Sequence, residues 1–486
     1  MAAASARYPD RTAVVDEHGS HTYAELWAET NAVAHGLLGE GVTSGATVGI
    51  LHRNSYRFIS SVVAAGKVGA STVFLNTEHA APQVAGVVGS EGIDVVLHDR
   101  ELAELVADLP IQRFDSLALA AFAAASSTSD PTPPRRTGRT VILTSGTTGR
   151  PKGAVRASLG GGVGGGASGA GLLERIPFRV GQTVVVAPPL FHSWGLAGAF
   201  MTLGLSGTVV LASRFDPEAT LALVARTEAD ALIVVPVMLH RMLALDDGVF
   251  AEHPTPSLRI IASSGSALGA PLTLRTLDRF GPVLYNAYGS TEVSIATVAT
   301  PADLKAQPET VGRPVLATRV QALDGAGRPV PTGSTGRVFV GSDLRFDGYT
   351  GGGGKEERRG MLSTGDVGHF DASGRLMIDG REDDMIVSGG ENVFPGEVED
   401  VLQRHDGVAD VAVIGVSDEE FGQRLRAYVV RAEGVTVSEQ GLRDHVRSQL
   451  ARFKVPREVV FVDELPRTAT GKLLRRELRD AEADSR

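Results

Sequence analysis

The chain has 486 residues, 43% hydrophobic and 21% charged, the balance of a soluble globular protein long enough for more than one domain and a large core. A formal net charge of -10 gives no electrostatic reason to expect a nucleic acid or an anionic membrane as partner, so an anionic ligand must be met by local groups. The absence of Cys excludes disulfides, thiolate metal sites and cysteine nucleophiles; with neither a secretory pattern after Met1 nor an apolar run of spanning length, the expected compartment is the cytoplasm.

Thr22 and Glu25, three apart, predict a capping box opening an amphipathic helix that carries Tyr23, Leu26, Val33 and Leu37 and stops at Gly39. A strand at 48–51, a helix at 56–68 and strands at 72–75 and 95–98 follow. This alternation predicts an α/β fold, with helices on both faces of a parallel or mixed sheet. Residues 123–140, rich in Ser, Thr, Pro and Arg, read as an exposed connection.

The next stretch runs from β-branched residues at 140–143 into Thr144, Ser145, Gly146, Thr147, Thr148 and Gly149, then through Arg150 and Pro151 to Lys152 and Gly153. Glycines let backbone N–H groups approach a polyphosphate, the hydroxyls add donors, and Lys152 supplies a compact charge. The same composition also makes an ordinary turn. It is not a Walker A loop, because two residues separate Gly149 from Lys152 and a glycine follows the lysine.

Residues 159–171 are dominated by glycine and read either as a linker or as a helix packed so closely that only small residues fit. Strands are expected at 183–186, 208–212, 231–235 and 259–262, and Asp216 with Pro217 predicts a capped helix start. His192, within Phe191-His192-Ser193-Trp194, is either a pocket residue or a loop histidine.

A strand at 283–285 leads into Asn286-Ala287-Tyr288-Gly289-Ser290-Thr291-Glu292. Tyr288 is suited to stack a base, Thr291 to donate to a phosphate and Glu292 to hold Mg²⁺ through oxygen, or the segment is a helix start with Ser290 or Thr291 as its cap. Asp366 ends Ser363-Thr364-Gly365, expected as a tight turn that either presents the carboxylate to a ribose diol or is an Asx-type turn. Gly351 to Gly354 with the charges at 355–359 reads as a flexible surface loop.

Past Gly380 the texture changes at the charged joint 381–384, and a domain boundary is placed at Asp383. This gives a large domain of sheets with flanking helices at 1–382 and a small α+β domain at 383–486. The latter has helices at 397–403 and 438–453 and strands at 411–414, 425–430 and 459–462. Lys472 follows the small-residue turn after Pro466, as a solvated charge or a site residue.

Taken together, the segments 144–153, 288–292, 363–366, 380–399 and 466–472, in that order, resemble the adenylate-forming superfamily of acyl- and aryl-CoA synthetases, adenylation domains and luciferases. The resemblance covers nearly the whole chain and is nearest to bacterial acyl-CoA ligases. It implies a loop from Thr144 to Lys152 around the β,γ-phosphates of ATP, Tyr288 against adenine within the nucleotide segment that includes Asn286 and Gly289, and Asp366 and Arg381 on the ribose. Thr291 and Glu292 would hold the α-phosphate and Mg²⁺, and Lys472 would bridge the substrate carboxylate and the α-phosphate.

Ser264, Gly265 and Ser266 would lie between adenine and an acyl pocket bordered by His192, Gly265 and Gly289. Rotation about Asp383 would bring Ser388, Gly389 and Gly390 to a pantetheine tunnel, with Phe421, Phe453, Lys454 and Arg457 on the CoA nucleotide. Val455 stands where certain aryl-CoA ligases keep an arginine. The implied reaction is ATP-dependent thioesterification of a carboxylic acid through an acyl-adenylate. The acid is expected to be fatty or bulky and hydrophobic, with room left by the glycine run, and CoA is the expected acceptor. A carrier protein as acceptor and an inactive acyl or nucleotide binder stay open, as does monomer or homodimer.

Overall fold

The computed structural model describes residues 1–144, 152–157, 167–388, 391–418, 422–468 and 471–484. Four sheets organise them. One has seven strands in the order Gly348–Tyr349, Lys152–Ala157, Arg139–Thr144, Ser71–Phe74, Thr47–Leu51, Val95–His98, Gln112–Asp115. Another has nine, running Arg313–Pro314, Ser294–Ala299, Leu284–Ser290, Ile260–Ser263, Ala231–Val234, Thr183–Val186, Thr208–Val210, Thr12–Asp16, Gly19–Thr22.

Their central strands are parallel and read as continuous apolar runs because helices cover both faces; all four residues of Ala231–Val234 are buried. An antiparallel sheet of five strands, including Gly336–Gly341, Met361–Phe370 and Leu376–Arg381, follows. The last sheet lies within 386–461, with Gly422–Arg431 between Val408–Asp418 and the parallel Glu458–Phe461, and helices Pro395–Gln403 and Glu439–Gln449 pack on it. It has a hydrophobic core separate from the large one.

The local signals operate as chemistry predicts. Thr22 and Glu25 form the reciprocal capping box of the Tyr23–Gly39 helix, and Asp216 caps Pro217–Arg226. The connection after Ser116–Ala125 is tied to the first long helix, where Trp27 Nε1 donates to Asp130 Oδ1 at 2.8 Å and Asn31 Nδ2 to the Thr128 carbonyl at 2.8 Å. Residues 167–171 of the glycine run begin the Ala167–Arg175 helix, and 158–166 lie outside the described residues. A Cβ on Gly171 would meet the Leu316 carbonyl at 2.7 Å, so close packing is the reason for glycine there.

Three expectations are corrected. Residues 286–290 continue the Leu284–Ser290 strand into a hairpin with Ser294–Ala299 rather than starting a helix. Asp366 lies inside the ten-residue Met361–Phe370 strand, not in a tight turn; Gly365 at φ +81° next to a register shift supplies the local bend the sequence suggested. Three of the charges at 355–359 are engaged in ion pairs: Glu356 pairs with Arg337 at 2.7 Å and with Arg358 at 2.5 Å, and Glu357 with Arg345 at 3.2 Å.

One buried relay imitates a hydrolase. Ser61 Oγ lies 3.1 Å from His52 Nε2, whose Nδ1 lies 2.7 Å from Asp99 Oδ1. Ser61 is 0% and His52 1% exposed, so no substrate reaches the hydroxyl. It ties the end of the Thr47–Leu51 strand to the Tyr56–Lys67 helix.

Candidate active site

The carboxyl ends of the parallel strands in both large sheets open into one cleft of about 2630 Å³, which residues 395–411 and 467–480 close from the other side. The hairpin at 284–299 sets its floor. Gly289 is required there, since a Cβ would stand 1.9 Å from the Ser294 carbonyl oxygen. Asn286 is buried and its Nδ2 donates to the Thr310 carbonyl at 3.4 Å.

Tyr288 Oη donates to Asp366 Oδ2 at 2.5 Å. The pairing register of Met361–Phe370 with Leu376–Arg381 puts Asp366 opposite Arg381, whose Nη1 is 3.6 Å from Asp366 Oδ1 and whose Nε donates to Asp383 Oδ1 at 2.9 Å. Burial pushes the Asp366 carboxyl above the usual carboxylate range, and the Tyr288 bond and the Arg381 charge offset only part of that. The balance at Glu292 goes the other way. Burial again raises the carboxyl, but the bond from Tyr349 Oη at 2.8 Å, bonds from Ser290 and the backbone, and the charge of Lys355 together hold it below its ordinary value. It is therefore ionised at neutral pH.

Glu292 is a suitable oxygen ligand for Mg²⁺, which ordinarily takes one or two carboxylates and completes its shell with substrate phosphates. Among the described residues no group of three or more His, Asp or Glu forms an all-protein cage, so nucleotide oxygens would have to share in holding the ion. Thr291, beside it, is gripped from behind: Arg156 Nε donates to the Thr291 carbonyl at 3.1 Å, and Nη2 bonds the same oxygen. Lys152 is exposed, with Nζ 5.7 Å from the centroid of Tyr349, and its carbonyl accepts from Thr144 Oγ1 at 3.1 Å. Ser145, Gly146, Thr147, Thr148 and Gly149 lie outside the described residues.

Lys472 reaches this corner from the last sheet's side. Arg467 anchors its loop by pairing with Asp410 at 2.8 Å and donating to the Gly471 carbonyl at 2.8 Å. Gly471 has φ +76°, and a Cβ there would lie 2.2 Å from Val237 Cγ1, so glycine alone permits this approach to the Pro236–Met242 helix. The Lys472 side chain is open to solvent within the cleft, yet the enclosing walls lower its pKa, reinforced by Arg381 and opposed by Asp384, Asp383 and Asp366. Lys472 thus shares one electrostatic neighbourhood with Asp366, Arg381 and Asp383.

Another stretch of the cleft wall is formed by Ser264, Gly265 at φ +100°, Ser266, His192 and the apolar Phe191 and Trp194. Ser388, Phe453, Lys454 and Arg457 do not line the cleft in this arrangement. Ser388 is buried in a hairpin of the last sheet, Phe453 is 39% exposed, Lys454 Nζ pairs with Glu397 at 2.5 Å, and the Arg457 amide donates to the Leu425 carbonyl. Gly389, Gly390 and Phe421 lie outside the described residues.

Sequence reasoning did not single out Arg156, Tyr349, Lys355 or His79. Arg156 stands opposite Thr140 in the strand register, which turns it toward the cleft wall. Lys355 was hidden in what read as a surface loop and Tyr349 stands just before it; the pairing of Gly348–Tyr349 with Lys152–Ala157 sets Tyr349 beside Glu292.

A profile of the AMP-binding enzyme family matches residues 1–350, and a profile of the AMP-binding enzyme C-terminal domain matches residues 397–472. A feruloyl-CoA synthase of Amycolatopsis sp. is 34% identical over 97% of this chain and 96% of its own length. A fatty acid–[acyl-carrier-protein] ligase of Streptomyces coeruleorubidus is 32% identical over 97% of this chain and 93% of its own. The solved structure of the o-succinylbenzoate CoA synthetase of Bacillus subtilis, in complex with an acyl-adenylate intermediate, superposes with a TM-score of 0.87 at 27% identity, covering 99% of this chain and 97% of that one. The chain therefore belongs to the AMP-binding enzyme family of the adenylate-forming superfamily, and is an AMP-forming ligase.

Proposed function

We propose that this protein is an ATP-dependent carboxylic acid:CoA ligase. In the first step an oxygen of the substrate carboxylate attacks the α-phosphorus of ATP, the bond to the β-phosphate bridging oxygen breaks, and pyrophosphate leaves. In the second the CoA thiolate attacks the acyl carbonyl and AMP leaves. Anionic oxygens must meet in the first step, so it calls for positive charge at the reacting atoms more than for a proton-transfer base.

The observation that carries this reading is Lys472, held by Gly471 and Arg467 in the electrostatic neighbourhood of Asp366, Arg381 and Asp383. Lys472 would hold the carboxylate and the α-phosphate together, Thr291 would donate to the α-phosphate, and Asp366 and Arg381 would receive the ribose hydroxyls. Tyr288 keeps its hydroxyl on Asp366, which fixes the ring that adenine would pack against. Mg²⁺, bound with Glu292 as its protein ligand, would neutralise charge on the departing phosphates.

Thioesterification would follow rotation about Asp383, which must break its bond with Arg381. That motion would carry Lys472 out and bring Ser388 and the 389–390 glycines in, with Phe453, Lys454 and Arg457 available to CoA. Residues 1–382 and 383–486 are the bodies proposed to move. The acid is proposed to be fatty or bulky and hydrophobic, in keeping with a cleft wall that includes Phe74, Ile142, Phe191, Trp194 and Leu196.

A carrier-protein thiol as acceptor is the second reading, favoured by the 32% identical fatty acid–[acyl-carrier-protein] ligase. The test is ATP–pyrophosphate exchange with benzoate, octanoate, palmitate and a polycyclic acid, followed by AMP release with CoA or with a phosphopantetheinylated carrier. Exchange that depends on an acid, with AMP release driven by CoA, is expected. Release driven only by the carrier would replace the acceptor, and no exchange with any acid would overturn the adenylation reading.

A further inference from the structure

At the acyl end of the cleft, the two large sheets each contribute a histidine. His79 lies in the turn after the Ser71–Phe74 strand of the seven-stranded sheet, where its amide donates to the Asn76 carbonyl at 3.2 Å. His192 caps the Ser193–Gly204 helix, which packs on the Thr183–Val186 strand of the nine-stranded sheet, and its amide donates to the Pro189 carbonyl at 3.1 Å. Backbone bonds thus fix the main chain at both histidines. Phe191 lies against His192 with ring centroids 4.5 Å apart, and Phe74, Asn76 and Gln83 also line the cleft.

His79 Nδ1 and His192 Nε2 are buried, and neither has a hydrogen-bond partner among the described residues. Buried polar atoms are ordinarily bonded, so two unbonded ring nitrogens on a cleft wall call for a ligand atom or a water. Burial lowers the pKa of both rings, that of His192 to about 4 with the His79 ring adding to the effect. Both are therefore neutral at neutral pH, and each can donate at one ring nitrogen and accept at the other. A neutral pair offers nothing to compensate a buried carboxylate, and a methyl group would leave both nitrogens unbonded. An uncharged hydroxyl, carbonyl or N–H satisfies them.

We propose that His79 and His192 form a specificity subsite at the far end of the acyl pocket, and that the acid this enzyme activates carries an uncharged hydrogen-bonding group, such as a phenolic hydroxyl or a ketone, on an otherwise apolar body. This rests on the adenylation reading with His192 in the acyl pocket. It narrows the substrate from bulky hydrophobic acids in general to those with a polar distal group.

The experiment is acid-dependent ATP–pyrophosphate exchange with matched pairs differing at one end: 3-(4-hydroxyphenyl)propionate against its 4-methyl analogue, and 11-hydroxyundecanoate and 10-oxoundecanoate against dodecanoate. The polar member is expected to win by about 10-fold or more in kcat/KM in at least one scaffold, since a site built to bond a substituent rejects the analogue that lacks it. In His79→Leu and in His192→Phe that ratio should fall toward one, and His79→Asn, which keeps a donor and an acceptor, should recover part of it. A ratio near one in every scaffold, or a ratio that survives both apolar substitutions, overturns the proposal. Absence of exchange with every acid is a different failure, which removes the adenylation reading and this proposal with it.

Discussion

The two ends of the cleft handle buried polarity differently. At the nucleotide end the carboxylates have partners within the chain: Tyr288 on Asp366, Tyr349 on Glu292 and Arg381 on Asp383. At the proposed acyl end, His79 Nδ1 and His192 Nε2 have none among the described residues. A site that must stabilise charge at the moment of reaction gains from dipoles already fixed in place, because no reorganisation is then needed. A subsite that selects a ligand gains from groups left unpaired, because the wrong ligand then leaves them so.

The largest effect should come from removing Lys472, the cation proposed to meet the reacting oxygens. Lys472→Ala is expected to cut pyrophosphate exchange by about 10²- to 10³-fold, the range for losing one preorganised stabilising group. Thioester formation from supplied acyl-adenylate should stay largely intact, and equal loss of both half-reactions would refute the assignment of Lys472 to the first step alone. Gly471→Ala should come next. Its Cβ would have to push Val237 away at 2.2 Å and would sit at a φ of +76°, so the approach of Lys472 is lost while the side chain itself remains. Exchange is expected to fall about 10-fold or more, with partial recovery in the double variant Gly471→Ala/Val237→Gly. No recovery would mean that strain at position 471, and not contact with Val237, controls the approach.

The same contrast explains how much of this was legible in the sequence. Asp366, Arg381, Tyr288, Glu292 and Lys472 stand in short segments whose residue types and order carry the resemblance, and four of them converge on one corner. The local frame was misread at 286–290 and 363–366 because glycine and hydroxyl residues suit turns and helix caps as well as bulged strands. Tyr349, Lys355 and Arg156 were missed for a longer-range reason. Tyr349 is placed by strand pairing between positions nearly two hundred residues apart, and Arg156 bonds the Thr291 carbonyl from 135 residues away, which no local window records. His79 is a lone histidine in a turn until the opposite sheet supplies His192.

Tyr349→Phe would make the nucleotide end resemble the acyl end by taking the bond from a buried carboxylate. That bond is the largest of the influences lowering the Glu292 pKa, while burial raises it, so the variant's carboxyl should titrate at higher pH. Glu292 would then lose its charge earlier as pH falls. As pH is lowered, exchange by the variant should fall off at a higher pH than in the parent enzyme, and the Mg²⁺ concentration for half-maximal rate should rise on the acid side. A loss independent of pH and of Mg²⁺ would assign Tyr349 to packing.

The smallest effect concerns a carboxyl in the cleft wall, that of Asp400. Asp400, on the Pro395–Gln403 helix, has Oδ1 3.5 Å from where a Cβ on Gly269 would stand. Burial, then Glu309 and Glu399, push its pKa to about 7 against the pull of Arg404, whose guanidinium is itself paired with Glu309 at 3.0 Å. A carboxyl raised in the folded state is protonated there while its unfolded counterpart has already ionised. Its contribution to stability is therefore fully present below the ordinary carboxylate range and is lost as pH rises to about 7. Asp400→Asn removes that loss, and Tm should rise by about 2–4 °C at pH 8, with the gain shrinking as pH is lowered to 5. An equal gain at both pH values would show that the amide packs better, and that ionisation of Asp400 does not set the stability of the closed arrangement.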